Sequence, residues 1–153
     1  MSNKENFQSI LKSFGAAINL PDLSLDEDQR CNLFFDEVPV SIELSPNEQY
    51  IYMYSYLGDA PMASSAGIAA KLLEANYTYN ETERCTLGIQ SVSRKVALIC
   101  NERIKGMELS DFEQSLENFI NVAEYWMRNM TAEPSTKGDD TSESDVDPSA
   151  VKV

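Results

Sequence analysis

Histidine is absent from all 153 residues of the chain. That removes Ser-His-Asp and Cys-His catalysis, histidine-ligated zinc and the commonest general base at neutral pH. Cations are also scarce, with 12 Lys and Arg against 25 Asp and Glu and a net charge of −13. A broad nucleic-acid surface needs Lys and Arg to neutralise phosphates, so this chain is not expected to bind nucleic acid. Cysteine is sparse and unpaired in spacing. Cys31, Cys85 and Cys100 form no CxxC motif and read as buried free thiols of a reducing compartment. Apolar runs fall well short of the ~20 residues of a membrane span, and MSNKENFQS has no apolar signal segment. A cytoplasmic location and no membrane partner are therefore expected.

What is present is a globular composition with 42% hydrophobic residues. Residues 2–18 carry an amphipathic stripe of Phe7, Ile10, Leu11, Phe14 and Ile18, opened by Ser2 and Glu5 at capping-box spacing. Three strands follow: CNLFFDE (31–37), the alternating VPVSIELS (38–45), and about 49–57. In the third, Tyr50, Tyr52, Tyr54 and Tyr56 alternate with Ile51, Met53 and Leu57, so neither face is charged. One face should pack on helices; the pattern leaves open whether the other is covered by the chain's own core or by another chain, and which parity is which. A short helix (SSAGIAAKLLEANY) opened by Ser64 or Ser65, two strands (CTLGIQS and KVALICNE) and a last helix complete the domain. That last helix carries Phe112, Leu116, Phe119, Ile120, Ala123, Trp126, Met127 and Met130, with Ser110 and Glu113 as its capping box. The fold class is α+β: a small antiparallel sheet with helices, in the order α-β-β-β-α-β-β-α. Residues 1–132 form the domain, and 133–153, with six acids against two lysines, read as a disordered acidic tail.

Candidate chemical sites fail on detail. Asp26, Asp28 and Glu37 match the first, third and twelfth positions of a calcium loop. Arg30 and Cys31 then occupy the fifth and sixth, where an oxygen ligand and a glycine are required. GDAPMASSAG lacks the GK[ST] ending of a P-loop. Asn76, Asn80 and Asn129 begin chance N-x-[ST] triplets, and Ser64 and Ser65 have no base to activate them. No catalytic residue, metal or cofactor is expected, and the aromatic and Met-rich stretches are left either to plain packing or to a surface for another polypeptide.

KLLEANYTYNETERCTLGIQSVSRKVALICNERI and LSDFEQSLENFINVAEYWMRNM resemble the class I type III secretion chaperones, the CesT or Tir-chaperone family. The family's L-x-x-A-N helix end is matched by Leu72, Ala75 and Asn76. Its F-x-x-x-L-x-x-F-x-x-x-A-x-x-W helix is matched by Phe112, Leu116, Phe119, Ala123 and Trp126. FGAAINLPDLSLDEDQRCNLFFDE, AEYWMRNM and the ending AVKV are similar to the family's regulatory members. The resemblance implies a non-enzymatic homodimer that holds a secreted protein's N-terminal segment by strand addition and in apolar grooves. Regulatory members also sequester an antiactivator of the secretion regulon once a small secreted partner has been exported. A dedicated chaperone for an effector toxin is the alternative.

On this basis Ile68, Leu72, Leu87, Ile89, Val96 and Leu98 are expected at the dimer seam. Ile10, Phe14, Leu33, Phe35, Val38, Val40, Tyr52 and Tyr54 are expected to capture the partner.

Overall fold

The computed structural model describes residues 1–59 and 65–130. Ser64, one of the two expected helix openers, and the 133–153 tail lie outside the described residues. The order is α1 (Asn3–Ala17), β1 (Arg30–Phe35), β2 (Val38–Leu44), β3 (Tyr50–Asp59), α2 (Ser65–Thr78), β4 (Thr86–Ile89), β5 (Lys95–Arg103) and α3 (Leu109–Asn129). All strand pairs are antiparallel, and the spatial order β1-β2-β3-β5-β4 slots the last strand between the third and the fourth. The α+β reading holds in every element.

Helix α1 begins where its capping box predicts: Glu5 N–H donates to Ser2 Oγ at 3.2 Å and Ser2 N–H to Glu5 Oε2 at 2.7 Å. Helix α3 begins earlier than the Ser110 and Glu113 spacing suggests. Its N-cap is Glu108, whose N–H donates to the Asp111 carboxylate at 2.9 Å. Leu109 is already helical, so Ser110 sits inside the first turn, where its hydroxyl has no orphan N–H to cap. The acidic loop before β1 also has a local explanation. Asp26 Oδ1 accepts from the N–H groups of Asp28 and Arg30 at 2.9 and 2.8 Å, an Asx turn rather than a calcium ligand.

The core lies between α3 and one face of the sheet. Helix α3 runs against β2, β3 and β5, and α1 packs on α3. The Phe112 ring meets Phe7 and Phe14 edge-on at 5.7 and 5.3 Å between centroids, contacts worth about 0.5–1.5 kcal/mol each beyond their area. From β3 the inward side chains are Ile51, Met53, Ser55 and Leu57. The tyrosines therefore point outward, and the ambiguity of the Tyr50–Leu57 strand is resolved by burial.

Helix α2 lies beside β4, one of the two edge strands. Edge strands present unpaired N–H and C=O groups that invite other chains, and Asn76 deals with this at Leu87. Its Nδ2 donates to Leu87 O and its Oδ1 accepts from Leu87 N–H, both at 2.9 Å. The side-chain amide thus stands where a neighbouring strand's peptide would. Asn76→Ala is expected to cost about 1–3 kcal/mol, because Leu87 is buried and its backbone groups lose their partner. Urea unfolding measures this. A change within a few tenths of a kcal/mol would mean that solvent substitutes for the amide.

Candidate interaction surfaces

The sheet's outer face divides into two halves. Over β1 and β2 it is polar apart from the exposed Phe34 opposite Pro39: Arg30 Nε lies 2.9 Å from Glu43 Oε2, and Ser41 Oγ donates to Asn32 Oδ1 at 2.7 Å. Over β3 and β5 it is apolar and aromatic. Tyr54 pairs across the strands with Ile99, and Tyr56 with Ala97. The Tyr54 and Tyr56 rings meet edge-on at 6.1 Å, and Lys95 Nζ sits 5.9 Å from the Tyr56 ring centroid. Ile99 is 44% and Tyr56 43% exposed. Neither α1 nor α3 reaches this face, because both occupy the inner one.

Helix α2 and the loops around β4 add more exposed apolar area. Leu73, Tyr77, Tyr79, Val92 and Ile99 account for five of the eleven exposed large hydrophobics among the described residues. They all fall within residues 73–99, so apolar exposure is concentrated on the α2–β4–β5 side. Scattered surface hydrophobics need no explanation, but a concentration does.

A second feature lies between the helices. Phe14 of α1, Ile18 at its C-cap, Phe35 at the end of β1, and Leu116 and Ile120 of α3 line a shallow apolar groove of about 220 Å³. Glu113, Glu117 and Asn121 stand at its rim. A third, polar cleft of about 490 Å³ is bordered by Asn80, Glu81, Glu83, Asn118, Asn121, Val122 and Tyr125. Both concavities carry carboxylates and no Lys or Arg, so electrostatics favour a basic or apolar occupant over an anion.

The residues expected to capture a partner do not form one surface. Ile10, Leu33, Val38 and Val40 are buried in the chain's own core, Val38 and Val40 to 1% exposure. Strand parity is the cause for β2: its two valines share the inner face with Ile42 and Leu44, under α3. Phe14 and Phe35 border the groove, whereas Tyr52 and Tyr54 lie on the opposite side of the sheet. The seam set is likewise enclosed within one chain. Val96 and Leu98 are fully buried, Ile68, Leu72 and Leu87 nearly so, and Ile89 partly. Their neighbours of opposite parity or on the other helix face, Ile99, Leu73 and Tyr77, hold the exposed positions. Sequence reasoning does not mark Ile99 as exposed because it assigns the apolar Val96 and Leu98 parity to the surface. The omission of Leu73, adjacent to Leu72, has the same origin.

Among the described residues no cluster of three or more His, Cys, Asp or Glu could hold a metal, and no helix is long and apolar enough to cross a membrane. Burial pushes the Cys31 thiol up, as suits an inert core position.

Known proteins share this architecture. The crystal structure of the ExsC–ExsE complex contains a chain that superposes with a TM-score of 0.75 at 26% identity, covering 85% of this chain and 97% of that one. The HopA1–SchA chaperone–effector complex matches at a TM-score of 0.67 and 12% identity, over 82% of this chain and 95% of that one, a likeness of fold. In sequence, the transcriptional anti-antiactivator ExsC of Pseudomonas aeruginosa is 28% identical over 120 residues, 78% of this chain and 81% of its own. The model of the Tir chaperone protein (CesT) family matches residues 9–127, and the chain belongs to that family.

Proposed function

We propose that this protein is a cytoplasmic type III secretion chaperone of the regulatory kind. It binds a small secreted partner and, once that partner has been exported, sequesters an antiactivator of the secretion regulon. The observation that carries this reading is the 28% identity to a transcriptional anti-antiactivator across most of both chains. The structural likeness to ExsC in complex with ExsE, also above a quarter identity, points the same way. The physical features agree with a binding role. The chain has an apolar groove with an acidic rim and an aromatic sheet face.

The partner's segment is proposed to place apolar side chains in the groove beside Phe14, Phe35, Leu116 and Ile120. Its Lys or Arg residues then meet Glu113 and Glu117. Two copies are proposed to associate through the exposed side of α2 and the β3–β5 outer face. That seam uses elements expected from sequence, but through Leu73, Tyr77, Tyr54, Tyr56 and Ile99 rather than their buried neighbours. A large negative charge keeps such an apolar surface soluble before it is covered.

Co-purification from the native host early in induction of secretion tests this. The expected result is two soluble partners, one small and exported, the other a regulator retained in the cell. Adding the small one in excess should displace the other. Recovery of a large toxin alone would replace this reading with a dedicated effector chaperone, in keeping with the chaperone–effector complex whose fold is shared.

A further inference from the structure

Cys85 and Cys100 are fifteen positions apart in sequence but meet across the sheet. Thr86 pairs with Ile99 and Leu87 with Leu98, so the next step of the register sets Cys85 opposite Cys100. The hydrogen-bond phase defines the kind of pair. Leu87 directs both its N–H and its C=O to Asn76, away from β5, so Leu87 and Leu98 form a non-hydrogen-bonded pair. Two positions on, Cys85 and Cys100 repeat that phase, and the Cys85 N–H bonds to Thr82 O at 2.8 Å instead of to β5. Non-hydrogen-bonded partners bring their Cα atoms to about 4.5 Å, within the range that a disulfide spans. Both side chains share the inward parity of Leu87 and Leu98, so the register turns the two thiols toward each other.

We propose that Cys85 and Cys100 form an oxidisable dithiol that closes to a cross-strand disulfide when the protein meets a hydroperoxide. Nothing in the chaperone reading requires it, and it does not depend on that reading.

The two cysteines differ as the chemistry needs. Cys100 is partly exposed and Cys85 buried. A hydrogen bond from the Cys85 thiol holds Cys100 below the usual thiol range, against the opposing effect of burial. The same bond, with burial added, pushes Cys85 up. Cys100 is therefore the thiolate that attacks. Its sulfur takes the outer peroxide oxygen, the O–O bond breaks, and the alkoxide leaves with a proton as an alcohol, or as water from hydrogen peroxide. Cys100 is then a sulfenic acid. The Cys85 sulfur gives up its proton and attacks the Cys100 sulfur; the S–O bond breaks and water leaves. Two thiols have lost two electrons and two protons, and the peroxide has accepted them. The bridge would staple the edge strand β4, and the loop leading into it from α2, to the inner strand β5.

The full chain, reduced and then treated with hydrogen peroxide, is alkylated and digested with trypsin. The expected product is peptide Cys85–Arg94 joined to Val96–Arg103, with Cys31 fully alkylated and the link reversed by dithiothreitol. The thermal midpoint of the oxidised protein should rise. Cys100→Ser should slow peroxide consumption by roughly tenfold or more. Cys85→Ser should leave a sulfenic acid at Cys100 that dimedone traps. Sulfinic or sulfonic acid at Cys100 in the unaltered chain with no joined peptide would overturn the proposal. A bridge to Cys31 or between two chains would do the same. The peptide map of the unaltered chain decides the matter even if a serine variant folds poorly.

Discussion

Trp126→Ala is expected to destabilise the domain by roughly 3–5 kcal/mol, a large part of the roughly 5–15 kcal/mol that holds typical domains together. Trp126 is fully buried on α3. Its Nε1–H donates to Glu81 O in the α2–β4 loop at 2.8 Å. Lys71 of α2 sits 5.8 Å from its ring centroid while Lys71 Nζ donates to Asn129 O at 2.9 Å. One side chain thus joins the last helix, the second helix and the loop that leads into the edge strand. Its removal leaves a cavity and frees that loop together. Trp126→Phe keeps most of the apolar volume and loses the hydrogen bond, so about 1–2 kcal/mol is expected for it. Urea unfolding of both variants gives the two values, and a fall in Tm of about 10 °C or more should accompany the alanine change. Equal losses for both variants would place the whole effect in the hydrogen bond. A loss below ~1 kcal/mol for alanine would mean that the loop and helices are held elsewhere.

The legibility of this residue contrasts with that of its surroundings. Trp126 belongs to a 3.6-residue stripe running from Phe112 to Met130, and a stripe that long states its own face. Strand β2 alternates as plainly, since only one parity of Val38–Leu44 is apolar apart from Pro39. Alternation does not say whether that parity meets the chain's own core or a partner, and Val38 and Val40, expected at a partner, are core. Strand β3 is less plain, because tyrosine is apolar enough to pack and polar enough to face water. Burial of Ile51 and Met53 under α3 decides it, and that contact joins segments some sixty residues apart. The same lack of long-range information hides the placement of β5 between β3 and β4. It also hides the role of Asn76, which reads as a chance triplet until Leu87 comes beside it. The candidate surface residues are hard to place for a related reason. Hydrophobicity marks core and interface alike, and the most apolar parity of each strand goes to the chain's own core. The less apolar parity, with Tyr54, Tyr56 and Ile99, is left outside.

That division gives the association its sharpest test. In a two-fold dimer each substitution is met twice, once from each copy. Ile99→Glu sets a carboxylate between Tyr54 and Thr86, its cross-strand neighbours on β3 and β4. Leu73→Glu sets one on the outer side of α2, where Leu73 is 70% exposed. If these positions are the seam, each change forces an unpaired charge into a desolvated contact. Losses of about 2–4 kcal/mol, roughly 30- to 1000-fold in dimer Kd, are expected. Light scattering at micromolar concentration should then report a monomer. The thermal transition of that monomer should remain cooperative, because neither side chain supports the core of its own chain. Leu98→Glu is the contrasting control, one position away from Ile99: it buries the charge in the core and should abolish folding altogether. An Ile99→Glu protein that stays dimeric removes the sheet face from the seam, and a dimeric Leu73→Glu protein removes the helix. An unaltered chain that is monomeric under the same conditions rules out both. The exposed tyrosine face would then be left for the secreted partner, and Tyr54→Glu should abolish that binding while the fold survives.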